Sequence, residues 1–350
     1  MIQVGDATRL IGELPAEHFQ TCITSPPYFG LRDYETPGQI GLEPTPAEYL
    51  DRLRPIFAGI WRTLKKDGTL WLNMGDSYNA YNGNAGPGSG EFGNRRYRAR
   101  PKLKSGYGLL TKSLKEKQML GTPWRVAFML QEAGWYLRAD IIWHKPNAMP
   151  ECVKDRPTKA HEYLFLLAKQ PRYFYDAKAI MEPAKARNEH DFTGQGYKAP
   201  GQAPQTESRK PSAWTSGPGS HHGKLVGRYP QKKQDGHGRR HEGFNDRYFS
   251  GPMPAWRNKR SVWEISTQPF LDAHFATFPE KLVEPCILAG SRPGDAVLDP
   301  FCGSGTVGVV CARLGREFTG IELKPEYAAM AEARLITALA QGHLKFREGA

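Results

Sequence analysis

An open, doubly wound α/β sheet carrying loop-rich insertions is the fold this sequence predicts, and three observations predict it. Short apolar runs alternate with runs of helical period along most of the chain. A glycine-rich turn, Asp299 to Thr306 (DPFCGSGT), falls between one such strand and the next helix. Two long polar stretches interrupt the alternation without changing its character.

The elements follow in order. Ile2-Gln3-Val4 is a short strand ending at Gly5-Asp6, and Ala7 to Leu14 is helical. Gln20 to Thr24 is a strand stopped by Pro26-Pro27, which lack the N–H a ladder needs. Pro46 to Leu64 has apolar residues at helical spacing (Tyr49, Leu50, Leu53, Ile56, Phe57, Ile60, Trp61, Leu64). Lys66-Asp67-Gly68 reads as a turn into the strand Thr69 to Asn73. A helix over Pro123 to Ala133 leads into a strand over Tyr136 to Trp143, and His161 to Ala168 is another strand. The connections around 136–168 are too short or irregular for helical crossovers, so antiparallel pairing is expected there, making the sheet mixed. Near the end come a helix over Pro279 to Ala289, a strand over Ala296 to Leu298, and a helix over Thr306 to Leu314. A strand over Glu317 to Ile321 and a helix over Pro325 to Gln341 follow.

The charge is concentrated. The chain has 350 residues and a formal net charge of +12. Residues 79–118 hold nine Lys/Arg against two Asp/Glu, and residues 184–260 hold fifteen against six, which leaves −4 for the remainder. Both stretches mix cations with aromatics (Tyr97, Tyr107, Trp214, Tyr229, Phe244, Tyr248, Phe249). That mixture suits phosphate contacts and stacking on bases; a solvated linker has the same composition. No apolar run reaches the length of a membrane span, and the first residues lack a signal-peptide pattern. The five cysteines (Cys22, Cys152, Cys286, Cys302, Cys311) form no CxxC pair and read as reduced thiols of a cytoplasmic protein. His221, His222, His237 and His241 lack partner spacing, so no metal site is expected.

Gly303, Gly305 and Gly308 satisfy GxGxxG, which alone is weak evidence for a nucleotide. One strand later comes Glu322, an acidic residue suited to a ribose diol. Together they indicate an adenosine-type cofactor. A second stretch, Thr24-Ser25-Pro26-Pro27-Tyr28, leaves a strand end that can lie beside the strand end at Asp299. In a doubly wound sheet the ligand crevice lies where such carboxyl ends meet at the switch point, whatever their chain order.

These motifs resemble the amino-methylating DNA methyltransferases of the N4-cytosine/N6-adenine family. Asp299 to Thr306 resembles their S-adenosyl-L-methionine motif, and TSPPY their catalytic motif. Gly5-Asp6-Ala7 is similar to their adenine-contacting acidic turn, and His274 to Pro279 (HFATFP) to a further cofactor segment. Trp143 to Asn147 and Lys159 to Lys169 resemble internal segments of the group. The order, catalytic motif first, is that of the permuted β group. The resemblance implies a methyltransferase-type (Rossmann-like) sheet and S-adenosyl-L-methionine held by Asp6, Ala7, His274, Phe278, Pro279, Asp299, Pro300, Phe301, Gly303, Gly305, Thr306 and Glu322. It implies double-stranded DNA as substrate, reached by base flipping. Relatives of the group often form homodimers; the sequence leaves a cognate restriction endonuclease open.

The resemblance assigns catalysis to Ser25, Pro26, Pro27 and Tyr28. An exocyclic amine is a poor nucleophile because its lone pair is delocalised into the ring. Ser25 Oγ and the Pro26 carbonyl would accept its two hydrogens, the prolines would stiffen the loop, and Tyr28 would stack on the flipped base. Phe29 is a further candidate for stacking. Serine at the head of the motif goes with cytosine N4 in this family, aspartate with adenine N6. The implied layout is a methyltransferase domain over 1–78, 119–183 and 261–350, with the catalytic motif in the first part and cofactor binding in the last. A basic insertion over 79–118 and a target-recognition region over 184–260 complete it.

Other residues have weaker claims. Lys145 and Asn147 follow a strand and could shape the base pocket or lie on the surface. Glu162 reads equally as a satisfied carboxylate at a strand start. Arg32 and Asp33 read as local loop contacts. Pro285-Cys286 matches the nucleophile dipeptide of cytosine-C5 enzymes, but its place in an apolar run before the glycine motif points to a buried thiol. The competing functions are adenine methylation, an RNA or protein-amide substrate, hydride transfer, and a DNA-binding module without catalysis. Hydride transfer would leave TSPPY without a role.

Overall fold

The computed structural model describes residues 1–34, 36–79, 111–184, 255–267 and 279–348. It divides into two compact units, Met1–Met181 with Asn258–Ala350, and Glu182–Arg257. His274, Phe278 and most of both basic stretches lie outside the described residues.

The larger unit is built on one eight-stranded sheet. Its elements are β1 (Ile2–Val4), α1 (Ala7–Glu13), β2 (Phe19–Thr24), α2 (Pro46–Thr63), β3 (Leu64–Met74), α3 (Thr122–Glu132), β4 (Tyr136–His144) and β5 (His161–Ala168). After the smaller unit's strands β6 (Glu182–Pro183) and β7 (Trp256–Arg257) come β8 (Val262–Glu264), α4 (Glu280–Gly290), β9 (Ala296–Asp299), α5 (Thr306–Leu314), β10 (Glu317–Glu322) and α6 (Pro325–Glu348). The strand order is β1-β10-β9-β2-β3-β5-β4-β8. The first five strands are parallel, whereas β5 runs antiparallel to both β3 and β4, which is joined to it by a segment without a helix.

Two layers of helices follow from the two-residue period of a strand. Leu70 and Leu72 of β3 face a core shared with Leu10 and Ile11 of α1, Leu53, Ile56 and Ile60 of α2, and Val126 and Leu130 of α3. Trp71, between them, faces the other core, with Leu282 and Ile287 of α4, Val307 and Val310 of α5, and Ala328 and Ala331 of α6. Every residue of β2 is buried, as expected for a central strand covered on both faces.

Local sequence sets the ends of these elements. Thr45 caps α2: its hydroxyl accepts from Glu48 N at 3.2 Å, and Pro46 occupies the first turn, where a missing N–H costs nothing. Asp6 caps α1 through Thr8 N at 2.6 Å. Lys65 to Gly68 form no separate turn. Phe19 pairs with Leu64 and Thr21 with Thr69, so the extra residues are a large bulge inside one continuous strand. The last helix continues past Gln341 to Glu348.

Part of the first basic stretch belongs to the body. Asn79 Nδ2 donates to the carbonyls of Thr111 (3.0 Å) and Leu114 (2.7 Å), its Oδ1 accepts from Thr111 N (3.0 Å), and Leu114 packs on the core. The expected insertion over 79–118 therefore has an ordered neck at Asn79 and 111–118. In the smaller unit, β6 and β7 pair antiparallel, and Arg257 Nε donates to Glu182 Oε1 at 2.9 Å. No helix among the described residues is long and apolar enough to cross a membrane.

Candidate active site

The switch point lies between β9 and β2. From β9 the chain moves through α5 to β10 on one side, and from β2 through α2 to β3 on the other. The two central strands are parallel neighbours, with Thr21 opposite Val297 and Cys22 opposite Leu298. A cleft of about 260 Å³ opens at their carboxyl ends. Thr24 Oγ1, at the end of β2, donates to Asp299 Oδ1, at the end of β9, at 2.7 Å. One buried hydrogen bond thus ties the serine-proline loop to the glycine turn across 275 residues of sequence.

The glycine side is held by backbone groups. Asp299 Oδ1 also accepts from Phe301 N at 3.1 Å, and Cys302 N donates to Ile321 O at 3.0 Å. Glu322, at the end of β10, accepts from Gly303 N at 2.9 Å and Lys324 N at 2.9 Å. Gly305 has φ +77°, and a Cβ there would sit 2.7 Å from Ala331 Cβ of α6. Both demands require glycine. Burial pushes the carboxyl pKa of Asp299 up to about 7, and burial raises that of Glu322 as well.

The serine-proline side is held by side chains. Tyr49 Oη, from α2, donates to Pro27 O at 2.8 Å. Tyr28 Oη donates to Glu162 Oε2 at 2.8 Å and accepts from Ser25 Oγ at 3.2 Å and Asn73 Nδ2 at 2.9 Å. Asn73 Nδ2 also reaches Glu162 Oε2 at 3.0 Å. Lys145 Nζ pairs with Glu162 Oε1 and lies 4.2 Å from the centre of the Trp143 ring. Burial and the neighbouring Glu162 carboxylate raise the Tyr28 phenol well above its ordinary range, so it remains a donor. Gly75 makes room for it, since a Cβ there would sit 2.7 Å from Tyr28 Cε2.

Of the residues singled out in the sequence, the cleft is lined by Asp6, Ala7, Ser25, Pro26, Pro27, Tyr28, Lys145, Glu162, Pro300, Phe301, Gly303, Thr306 and Glu322. Asp299 lies beneath it, 1% exposed, and acts through Thr24 and Phe301. Gly305 shapes the turn without lining the cleft. Pro279 is buried at the start of α4 and is not among the lining residues. Phe29 is no stacking surface: it is 2% exposed and packs on Tyr49 in the core. Cys286 is buried, as its apolar run implied. Arg32 lines the cleft, whereas Asn147 pairs with the backbone of Thr267 at 2.9 and 3.1 Å. Sequence reasoning missed Asn73. Its signal was a lone amide at the end of the apolar run Leu70-Trp71-Leu72.

The donor set suits a charged nucleoside. Two carboxylates, Asp6 and Glu322, face the cleft among glycine-turn backbone and apolar groups such as Phe301, Ile321 and Met330. Carboxylates accept from ribose hydroxyls, and apolar surfaces receive an adenine. A switch-point cleft with a glycine turn on one wall and a Ser-Pro-Pro-Tyr loop on the other is the arrangement of a nucleoside-cofactor site. A sequence model described as DNA methylase, of N6/N4 type, matches residues 19–333, and the chain belongs to that family.

Its relatives narrow the class. The chain is 41% identical over 336 residues to type II methyltransferase M.Cfr9I of Citrobacter freundii, covering 95% of this chain and 86% of that protein. It is 41% identical over 340 residues to M.SmaI of Serratia marcescens, covering 96% and 90%. Its fold is similar to that of the PvuII cytosine-N4-specific DNA methyltransferase (TM-score 0.54, 20% identity, 95% of this chain and 85% of that one). It is also similar to that of TTHA0409 of Thermus thermophilus, solved in complex with S-adenosyl-L-methionine (TM-score 0.50, 23% identity, 97% and 93%).

Proposed function

We propose that this DNA methyltransferase acts on the exocyclic N4 amine of cytosine. The carrying observation is that Ser25, and not a carboxylate, heads the Pro-Pro-Tyr loop and faces the cleft opposite the glycine turn. S-adenosyl-L-methionine, when bound, supplies an electrophilic methyl group. Asp6 and Glu322 would hold its nucleoside end, with Phe301 and Met330 among the apolar groups lining the cleft there. Ser25 Oγ and the Pro26 carbonyl would accept hydrogen bonds from the two amine N–H groups and turn the nitrogen lone pair toward the methyl; the surplus proton of the methylated amine then passes to water. The ring of Tyr28 carries the flipped base. Alignment is the main contribution, because no residue needs to form a covalent bond to the base. The relatives named type II methyltransferases support a restriction-modification setting, and residues 184–260 are the proposed reader of the target sequence.

The test is mass spectrometry of nucleosides from genomic DNA incubated with the protein and methyl-labelled S-adenosyl-L-methionine. Label in N4-methylcytosine is the expected result. Label in N6-methyladenine would overturn the choice of base and leave the class of enzyme standing.

A further inference from the structure

The cleft contains a chain of hydrogen bonds whose directions can be worked out atom by atom. Glu162 is the fixed end. Lys145 Nζ pairs with its Oε1, and an ionised carboxylate only accepts. Asn73 Nδ2 touches both Glu162 Oε2 and Tyr28 Oη, so the amide must present its NH₂ to them. Tyr28 Oη has one hydrogen and two lone pairs. The hydrogen has two potential acceptors, the Glu162 carboxylate at 2.8 Å and the neutral Ser25 hydroxyl at 3.2 Å. The charged, closer acceptor takes it. The lone pairs of Tyr28 Oη face only donors: Asn73 Nδ2, the Gly75 backbone N–H and the Ser25 hydroxyl. With that hydrogen spent on Glu162, the Ser25–Tyr28 hydrogen bond forms only when the Ser25 hydrogen points at Tyr28 Oη.

We propose that Glu162 is a positioning residue: acting through the Tyr28 hydroxyl, it locks the Ser25 hydroxyl as a pure hydrogen-bond acceptor whose lone pairs face the cleft. A free serine hydroxyl rotates and can itself donate, which would make it a poor partner for an amine that must lose its N–H contacts to water. Here the rotor is set before the base arrives. Such donation into a chain ending on a carboxylate also polarises the serine oxygen, bringing it closer to the aspartate it replaces. Glu162 does not touch the base in this scheme. Asn73 and Lys145 keep its carboxylate in place, and the stiffness of Pro26-Pro27 keeps Ser25 in register with Tyr28.

This inference rests on the reading of Ser25 as the amine acceptor, and the experiment separates the two. Single-turnover methyl transfer to genomic DNA is measured with the full chain, together with the cofactor Kd and the KM for DNA. The variants are Ser25→Ala, Tyr28→Phe, Glu162→Gln and the Tyr28→Phe/Glu162→Gln pair. Tyr28→Phe keeps the ring and removes only the link. It is expected to slow transfer about tenfold or more, the size of one charge-assisted hydrogen bond, with cofactor Kd and DNA KM within about twofold. Glu162→Gln should slow transfer similarly, and the pair should be no slower than the worse single variant, because both break one chain. If Ser25→Ala abolishes transfer while Tyr28→Phe keeps the full rate, the positioning role is overturned and the acceptor role survives. If Glu162→Gln costs as much in the Tyr28→Phe background as alone, Glu162 acts by another route and the inference is likewise overturned. Full activity of Ser25→Ala would instead sink the reading of the site itself.

Discussion

The two walls of the cleft are built by different means. The glycine wall is made of backbone: Gly303 N on Glu322, Phe301 N on Asp299, Cys302 N on Ile321 O, and a left-handed Gly305 pressed on Ala331. Nearly all of it comes from residues 299–331. The serine-proline wall is made of side chains gathered from far apart. Tyr28, Tyr49, Asn73, Lys145 and Glu162 come from β2's exit, α2, β3, β4's end and β5. A backbone cradle suits a cofactor that is the same in every turnover. A side-chain network suits a wall that must fix single hydrogen atoms, because hydroxyls and carboxylates carry direction that a peptide loop cannot vary.

The contrast predicts different kinds of damage. Gly305→Val should be the most harmful single change on the glycine wall. It forces a β-branched residue to φ +77° and drives its Cβ into Ala331, at 2.7 Å. The left-handed conformation alone costs about 1–2 kcal/mol, and the overlap adds about 1–3 kcal/mol. A loss of several degrees in Tm, together with loss of cofactor binding by calorimetry, is expected. An unchanged Tm would mean that the turn is looser than its contacts imply.

A second effect concerns pH. Asp299 has its pKa raised from 3.8 to about 7, chiefly by burial, with Glu322 adding to the rise. Between these values the folded chain binds a proton that the unfolded chain has released. Stability therefore falls as pH rises from about 4 to about 7. Thermal unfolding of the cofactor-free protein across that window should show the decline, and Asp299→Asn should make it shallower. A slope unaffected by the substitution would assign the effect to other groups.

The same contrast explains what the sequence made legible. Strand and helix alternation, the antiparallel turn-back at β5 and the meeting of β2 with β9 all follow from local periodicity and from one rule about switch points. The glycine wall was legible because its parts are close in sequence: the turn, then Glu322 one strand later. TSPPY was legible as a rigid strand exit. What supports it was not. Glu162 at a strand start and Asn73 at a strand end look like ordinary satisfied polar residues until β3 and β5 pair and set Asn73 opposite Leu164, two positions from Glu162. Phe29 follows Tyr28 in sequence but lies in the turn beyond the prolines, where its ring is buried against Tyr49 in the core. The bulge at Lys65 to Gly68 read as a turn because its composition is that of one; only the pairing with β2 on both sides reveals a single strand.

The central claim, that one wall holds cofactor and the other directs the amine, is tested most directly by comparing Ser25→Ala with Glu322→Ala in two assays, cofactor affinity and single-turnover methyl transfer at saturating cofactor. The predicted result is a crossed pattern. Ser25→Ala binds cofactor within about twofold of the parent and loses transfer by about a hundredfold or more. Glu322→Ala binds cofactor about tenfold or more weakly and recovers much of its transfer rate at saturation. Parallel losses in both assays for both variants would contradict the division and make the cleft a single cooperative unit.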